Sequence, residues 1–157
     1  MTLQNFSLGQ LGDDGANVEL VERKGRGHPD TMADALSEAF SQALSNHYLK
    51  QCGTILHHNV DKLLIAAGCA TPAFGAGEVT MPFDVYLAGR ATMSVNGMDV
   101  PVEDIARRTV ADWLTANFHA LDPVQSANVR CLVRPGASEL VELFGRQSIP
   151  LANDTSI

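Results

Sequence analysis

Positive charge is what this chain is short of. Its 157 residues hold 11 Lys and Arg against 18 Asp and Glu, giving a formal net charge of −7 and a pI near 5.0. Broad binding to nucleic acid or to an anionic membrane surface normally rests on an excess of cationic side chains, so neither is expected as a partner. The few basic residues also read as scattered rather than gathered into a patch. Charged residues of both signs make up only 18%, below the usual quarter or so, which suits a subunit that buries surface against another chain. Cysteine is scarce too. Cys52, Cys69 and Cys131 are odd in number and show no CxxC spacing, which argues for reduced thiols and against a disulfide framework. No run approaches the ~18 apolar residues of a membrane helix. The opening MTLQNFSLGQ has no basic start and no long apolar stretch, so no signal peptide is expected and the setting is expected to be cytoplasmic. Neither GxxxxGK[ST] nor GxGxxG occurs, which excludes the common nucleotide loops.

What is present is enough apolar material, 45% of the residues, for one domain with a core. Residues 1–17 read as a lead-in and 18–157 as the folded region. Met32, Ala35, Leu36, Ala39, Phe40, Ala43, Leu44 and Tyr48 recur at helical spacing, predicting a helix over 31–50 with Asp30 as its N-cap and Gly53 after its end. A second helix is predicted over 102–118, through Val102, Ile105, Ala106, Val110, Trp113, Leu114 and Phe118, with Pro101 at its start. Residues 54–60, 63–67 and 83–92 read as strands, as does the alternation of Val129, Cys131 and Val133. The stretch 68–77, rich in Gly and Ala, reads as a loop, Asn96-Gly97 as a turn, and 138–144 as a short helix. Grouped strands beside two long helices predict an α+β fold, with helices packed on one face of a mixed or antiparallel sheet.

Three polar clusters carry the candidate chemistry. In Gly25-Arg26-Gly27-His28-Pro29-Asp30 two glycines let the backbone approach another group, and a helix N-terminus that attracts phosphate follows. A carboxylate beside phosphate suits Mg²⁺, and a histidine there can donate to a departing phosphate oxygen. The plainer reading of the same residues is a helix cap and a surface histidine. His57-His58-Asn59-Val60-Asp61-Lys62 puts two imidazoles next to each other on a strand, where they face opposite ways and cannot readily share one metal. Asp61 or Lys62 could instead reach an ion or a phosphate, and a polar turn is the alternative. Gly75-Ala76-Gly77-Glu78 sets a carboxylate after a glycine loop, where it could hold an ammonium group.

Taken in order, the motifs resemble those of archaeal-type S-adenosylmethionine synthetases. Glu22 to Asp30 (ERKGRGHPD) resembles the family's ERKGxGHPD signature, with Arg26 where an aliphatic residue is usual. Ile55–Asp61, Phe74–Val79, Val133–Gly136 and Pro150–Ser156 continue the similarity at similar gaps, over roughly 18–157. The resemblance implies a methionine adenosyltransferase, in which methionine sulfur attacks C5′ of ATP and the triphosphate leaves, to be cleaved to phosphate and diphosphate. By motif, His28 resembles the histidine that stabilises the leaving triphosphate and Asp30 a Mg²⁺ ligand. Glu78 resembles an acidic residue of the methionine site, Asp154 an aspartate at the substrate end, and Glu22 a glutamate near the nucleoside. Mg²⁺ and K⁺ are the cofactors implied. Family members are longer, have three similar domains and dimerise, so the chain is expected to be an N-terminal part that needs a complementary subunit, a second copy, or both. The alternative is a non-catalytic paralogue that regulates a full-length synthetase. The intact His28, Asp30, Glu78 and Asp154 favour the catalytic reading.

Overall fold

A computed structural model describes residues 20–95 and 97–136. The lead-in, the helix expected at 138–144, the tail and Asp154 lie outside the described residues. Helix α1 (Pro29–Cys52) is followed by strand β1 (His58–Ala66), the paired strands β2 (Cys69–Ala73) and β3 (Ala76–Met81), and strand β4 (Phe83–Ala91). Two-residue strands β5 (Ser94–Val95) and β6 (Met98–Asp99) lead to helix α2 (Val102–Asn117), a single turn α3 (Pro123–Ser126) and strand β7 (Ala127–Pro135).

Strands β1, β4 and β7 form one sheet in that order, with β1 antiparallel and β7 parallel to the central β4. The parallel pair follows from α2, which carries the chain back to the end where β4 began. Both long helices cover one face, α1 over β1 and α2 over β7, and they also touch each other. The architecture is therefore the α+β arrangement expected, with a mixed sheet.

Each helix buries one i, i+4 ridge. Met32, Leu36, Phe40, Leu44 and Tyr48 of α1 meet Val102, Ala106, Val110 and Leu114 of α2, over Val85, Leu87 and Val133 of the sheet. The alanines expected on the α1 stripe flank this ridge and are only half-buried. Among the described residues, no helix is long and apolar enough to cross a membrane.

Two expectations need correction. Residues 68–77 are not a loop, because β2 and β3 pair as a hairpin about a turn at Phe74-Gly75, with Gly75 at φ 72°. All five residues of β2 are exposed, so the hairpin has no buried face and hence no alternation to betray it. Strand β1 starts at His58 rather than at residue 54, and it carries an extra residue between Asn59 and Lys62.

The tandem histidines serve the scaffold. His58 Nδ1 donates to Leu56 O at 2.9 Å, which leaves Nε2 to accept from Ser41 Oγ at 3.1 Å and Ser45 Oγ at 3.3 Å on α1. His57 is buried, and its carbonyl accepts from both N–H and Oγ1 of Thr92 at 3.0 Å. Among the described residues there is no cluster of three metal-ligating side chains.

Tyr48 closes this region, its Oη donating to Thr92 O at 2.9 Å. Burial pushes its hydroxyl from the ordinary 10.0 up to about 12. A folded pKa above the unfolded one favours the neutral form, so the contribution is complete below pH 10 and disappears as pH rises to about 12. Urea midpoints between pH 9 and 12 should fall for the native sequence, and fall less for Tyr48→Phe. Equal slopes would contradict the burial of this hydroxyl.

Candidate functional site

Residues 20–28 run without regular structure to the N-terminus of α1. A turn closed by His28 N–H on Gly25 O at 3.0 Å brings the chain round at the motif's centre. Pro29 occupies the first helical position and holds the residue before it extended, so His28 has φ −67° and ψ 135°. The N-cap is therefore His28 and not Asp30, because Pro29 starts the helix two residues earlier than its apolar stripe suggests. The imidazole itself caps, with Nδ1 accepting from Asp30 N–H at 3.1 Å.

That hydrogen bond fixes the chemistry of the ring. A nitrogen that accepts cannot carry the proton of a neutral imidazole, so the proton resides on Nε2, at the ring's far side. His28 is thus a cap with its free N–H pointing away from its own helix, in a side chain that is 40% exposed.

Asp30, in the first turn, is paired with Lys24 Nζ. The hydrogen bond from Lys24, and then its charge, hold the Asp30 carboxyl below the usual 3.8, while slight desolvation opposes them. An ionised, 63% exposed carboxylate beside a helix N-terminus fits a hard cation that takes one protein oxygen and draws its other ligands from phosphate and water. The loop also has room for such a ligand. A Cβ at Gly25 would meet nothing within 4 Å, and one at Gly27 would only touch the Phe118 ring at 3.5 Å.

Behind the loop lies an apolar cavity of about 290 Å³. Gly27, Pro29 and Met32 line one side, Phe118 another, and Val79 and Met81 of β3 a third. The cavity joins the His28 loop to the root of the β2–β3 hairpin. Val79 and Met81 turn toward it, so Glu78, one residue earlier on the strand, projects from the other face of the hairpin. Glu78 and Glu22 are both exposed, and no side-chain hydrogen bond or ion pair among the described residues ties either to His28 or Asp30. The structure brings His28 and Asp30 together, places the strand of Glu78 beside them, and leaves Glu22 on the exposed approach.

Asn59, Asp61 and Lys62 do not line this cavity. The far end of β1, at Ile65, borders the cavity, whereas His58 bonds Ser41 and Ser45. Thirteen helical residues from His28 to Ser41, at about 1.5 Å each, put these ends roughly 20 Å apart. Asp61 pairs instead with its neighbour Lys62 at 3.3 Å.

The sequence pattern that defines the S-adenosylmethionine synthetase (AdoMet synthetase) family matches residues 7–157. The chain belongs to the S-adenosylmethionine synthetase family. The "Probable S-adenosylmethionine synthase" of Aquifex aeolicus is 46% identical over 144 residues, covering 89% of this chain and 36% of that protein. The S-adenosylmethionine synthase of Hyperthermus butylicus is 47% identical over 148 residues, 90% of this chain and 36% of its own length. That of Methanococcoides burtonii is 45% identical over 139 residues, 88% and 35%. This synthetase-family chain thus spans little more than a third of the length of the curated relatives it matches.

Within this family member, sequence reasoning overlooked Lys24. Arg23, Lys24 and Arg26 stand within four positions of one another, so the basic residues are less scattered than they read. Their run is interrupted and includes a glycine, and only the fold of the turn shows that Lys24 returns to Asp30.

Proposed function

We propose that the chain supplies the triphosphate-facing part of a methionine adenosyltransferase. Methionine sulfur forms a bond to C5′ of ATP, the bond from C5′ to the triphosphate oxygen breaks, and the triphosphate is then hydrolysed to phosphate and diphosphate. The observation that carries this reading is the capping of α1 by His28 Nδ1, which leaves Nε2–H as a donor for the oxygen on which negative charge develops. Membership of the synthetase family supports it.

In this reading Asp30 is the Mg²⁺ residue, and the bound cation would offset phosphate charge. Glu78, on the hairpin beside the cavity, meets the methionine ammonium, Glu22 lies near the nucleoside and Asp154 at the substrate end. K⁺ enters through the resemblance, and a cytoplasmic setting is the expectation drawn from the sequence. The exposed hairpin and the exposed loop of Glu22 suit a site completed by other protein surface, either a complementary synthetase chain, a second copy, or both. A two-stranded hairpin standing off a domain is marginal in water unless something packs on it.

Product formation from ATP and methionine, with Mg²⁺ and K⁺, tests both halves of the proposal. The chain alone is expected to give no S-adenosylmethionine, and the chain mixed with the remaining length of a synthetase is expected to give it. Robust turnover by the isolated monomer would refute the need for a partner. No product in the completed mixture would refute the activity.

A further inference from the structure

The residue that occupies Asp30 in this structure is a cation on the same loop. Lys24 and Asp30 are joined across the turn that His28 N–H closes on Gly25 O, with side chains 59% and 63% exposed. A pair so open to water contributes little to holding the loop and is easily exchanged. Arg23 and Arg26 flank it, and both are exposed. The Nε2–H of His28 lies at the same helix end, and the space beside Gly25 is open.

We infer that Lys24 is a second polyphosphate-binding group of this site, one that covers the Asp30 carboxylate until a divalent cation takes it and then turns its ammonium onto the phosphate that accompanies the cation. The inference rests on the reading of Asp30 as the metal residue. Charge explains why the exchange works only for the paired ligand. A metal–polyphosphate complex brings a positive centre for Asp30 and a negative one for Lys24, so both partners of the broken pair are matched again. A bare divalent cation must displace Lys24 and offers its ammonium nothing in return. Lys24 therefore favours the complex and opposes the bare ion, and a lysine that merely steadied the loop would not act with opposite signs on the two.

The probes are Mn²⁺, followed by the spectrum of the free ion, and tripolyphosphate with Mn²⁺, followed by calorimetry. Both are applied to the 157-residue chain and to its Lys24→Gln, Lys24→Arg and Asp30→Asn variants. Lys24→Gln is expected to bind bare Mn²⁺ about two- to fivefold more tightly and Mn²⁺–tripolyphosphate about tenfold more weakly. Lys24→Arg keeps the positive charge and should retain most of the tripolyphosphate affinity, which separates loss of charge from damage to the loop. If the native chain binds the complex and Asp30→Asn does not, while Lys24→Gln shows any pattern other than the two opposite shifts, Lys24 has no such role and the Asp30 reading stands. If the native chain binds neither probe, the Asp30 reading itself is overturned, and this inference with it.

Discussion

His28→Ala is expected to lower turnover by about a hundred- to ten-thousandfold in any preparation in which this chain forms S-adenosylmethionine, with little change in ATP affinity. Before reaction, the oxygen linking C5′ to the triphosphate is a weak acceptor. As the bond to carbon breaks it becomes part of a polyanion, and a donor at hydrogen-bonding reach then stabilises it far more than it stabilised the substrate. The Nε2–H of His28 is available for this because Nδ1 is committed to the Asp30 amide at 3.1 Å. Alanine would remove the donor and the cap together, and the cap alone contributes about 1 kcal/mol to the helix start. His28→Asn separates the two effects, since its side-chain oxygen can cap the helix while the distal N–H is lost. It should restore the stability that alanine costs and leave turnover as low. A rise in KM with unchanged kcat for either variant would show that His28 binds the ground state and the transition state equally and gives the chemical step no help.

The parts of the fold that were legible in the sequence are those that bury one face. Both long helices, β4 and β7 present apolar side chains to a common core at the period of their own backbone, so Phe40, Leu44, Val110 and Val85 declare themselves. The β2–β3 hairpin buries no face and is held by its backbone ladder, to which side-chain periodicity gives no clue. The helix start was misjudged for a similar reason. Apolar spacing marks where α1 begins to pack, whereas Pro29 and the His28 cap determine where it begins to wind. The parallel pairing of β7 with β4 and the gap between His58 and His28 depend on how distant segments meet, and no local pattern encodes that. Of the candidate site, the ordered motifs identified the loop and the family. The Lys24–Asp30 pair needed the turn geometry before a lysine six residues away could be assigned to that carboxylate.

Gly89→Ala is expected to be a strongly damaging single methyl addition to the scaffold. Gly89 lies in the central strand opposite the extra residue of β1, where Asn59 pairs with Arg90 and Lys62 with Ala88, so three steps on one strand match two on the other. Such a bulge pushes backbone toward the partner strand. A Cβ at Gly89 would stand 2.1 Å from Asn59 O and 3.1 Å from both Asn59 C and Asp61 N. All three are main-chain atoms, so no side chain can rotate away, and relief requires β1 to shift against β4. That shift would also pull His58 from Ser41 and Ser45, loosening α1 from the sheet. The cost should be about 3 kcal/mol or more, at the upper end of overpacking, with a Tm lower by on the order of 10 °C. Gly25→Ala is the matched comparison, since its Cβ would meet nothing within 4 Å, and it should change stability by no more than about 0.5 kcal/mol. Denaturant midpoints of the two variants beside the native chain make the test. If Gly89→Ala unfolds where the native chain does, β1 does not carry its extra residue against Gly89, and the attachment of His58 to α1 must be redrawn with it.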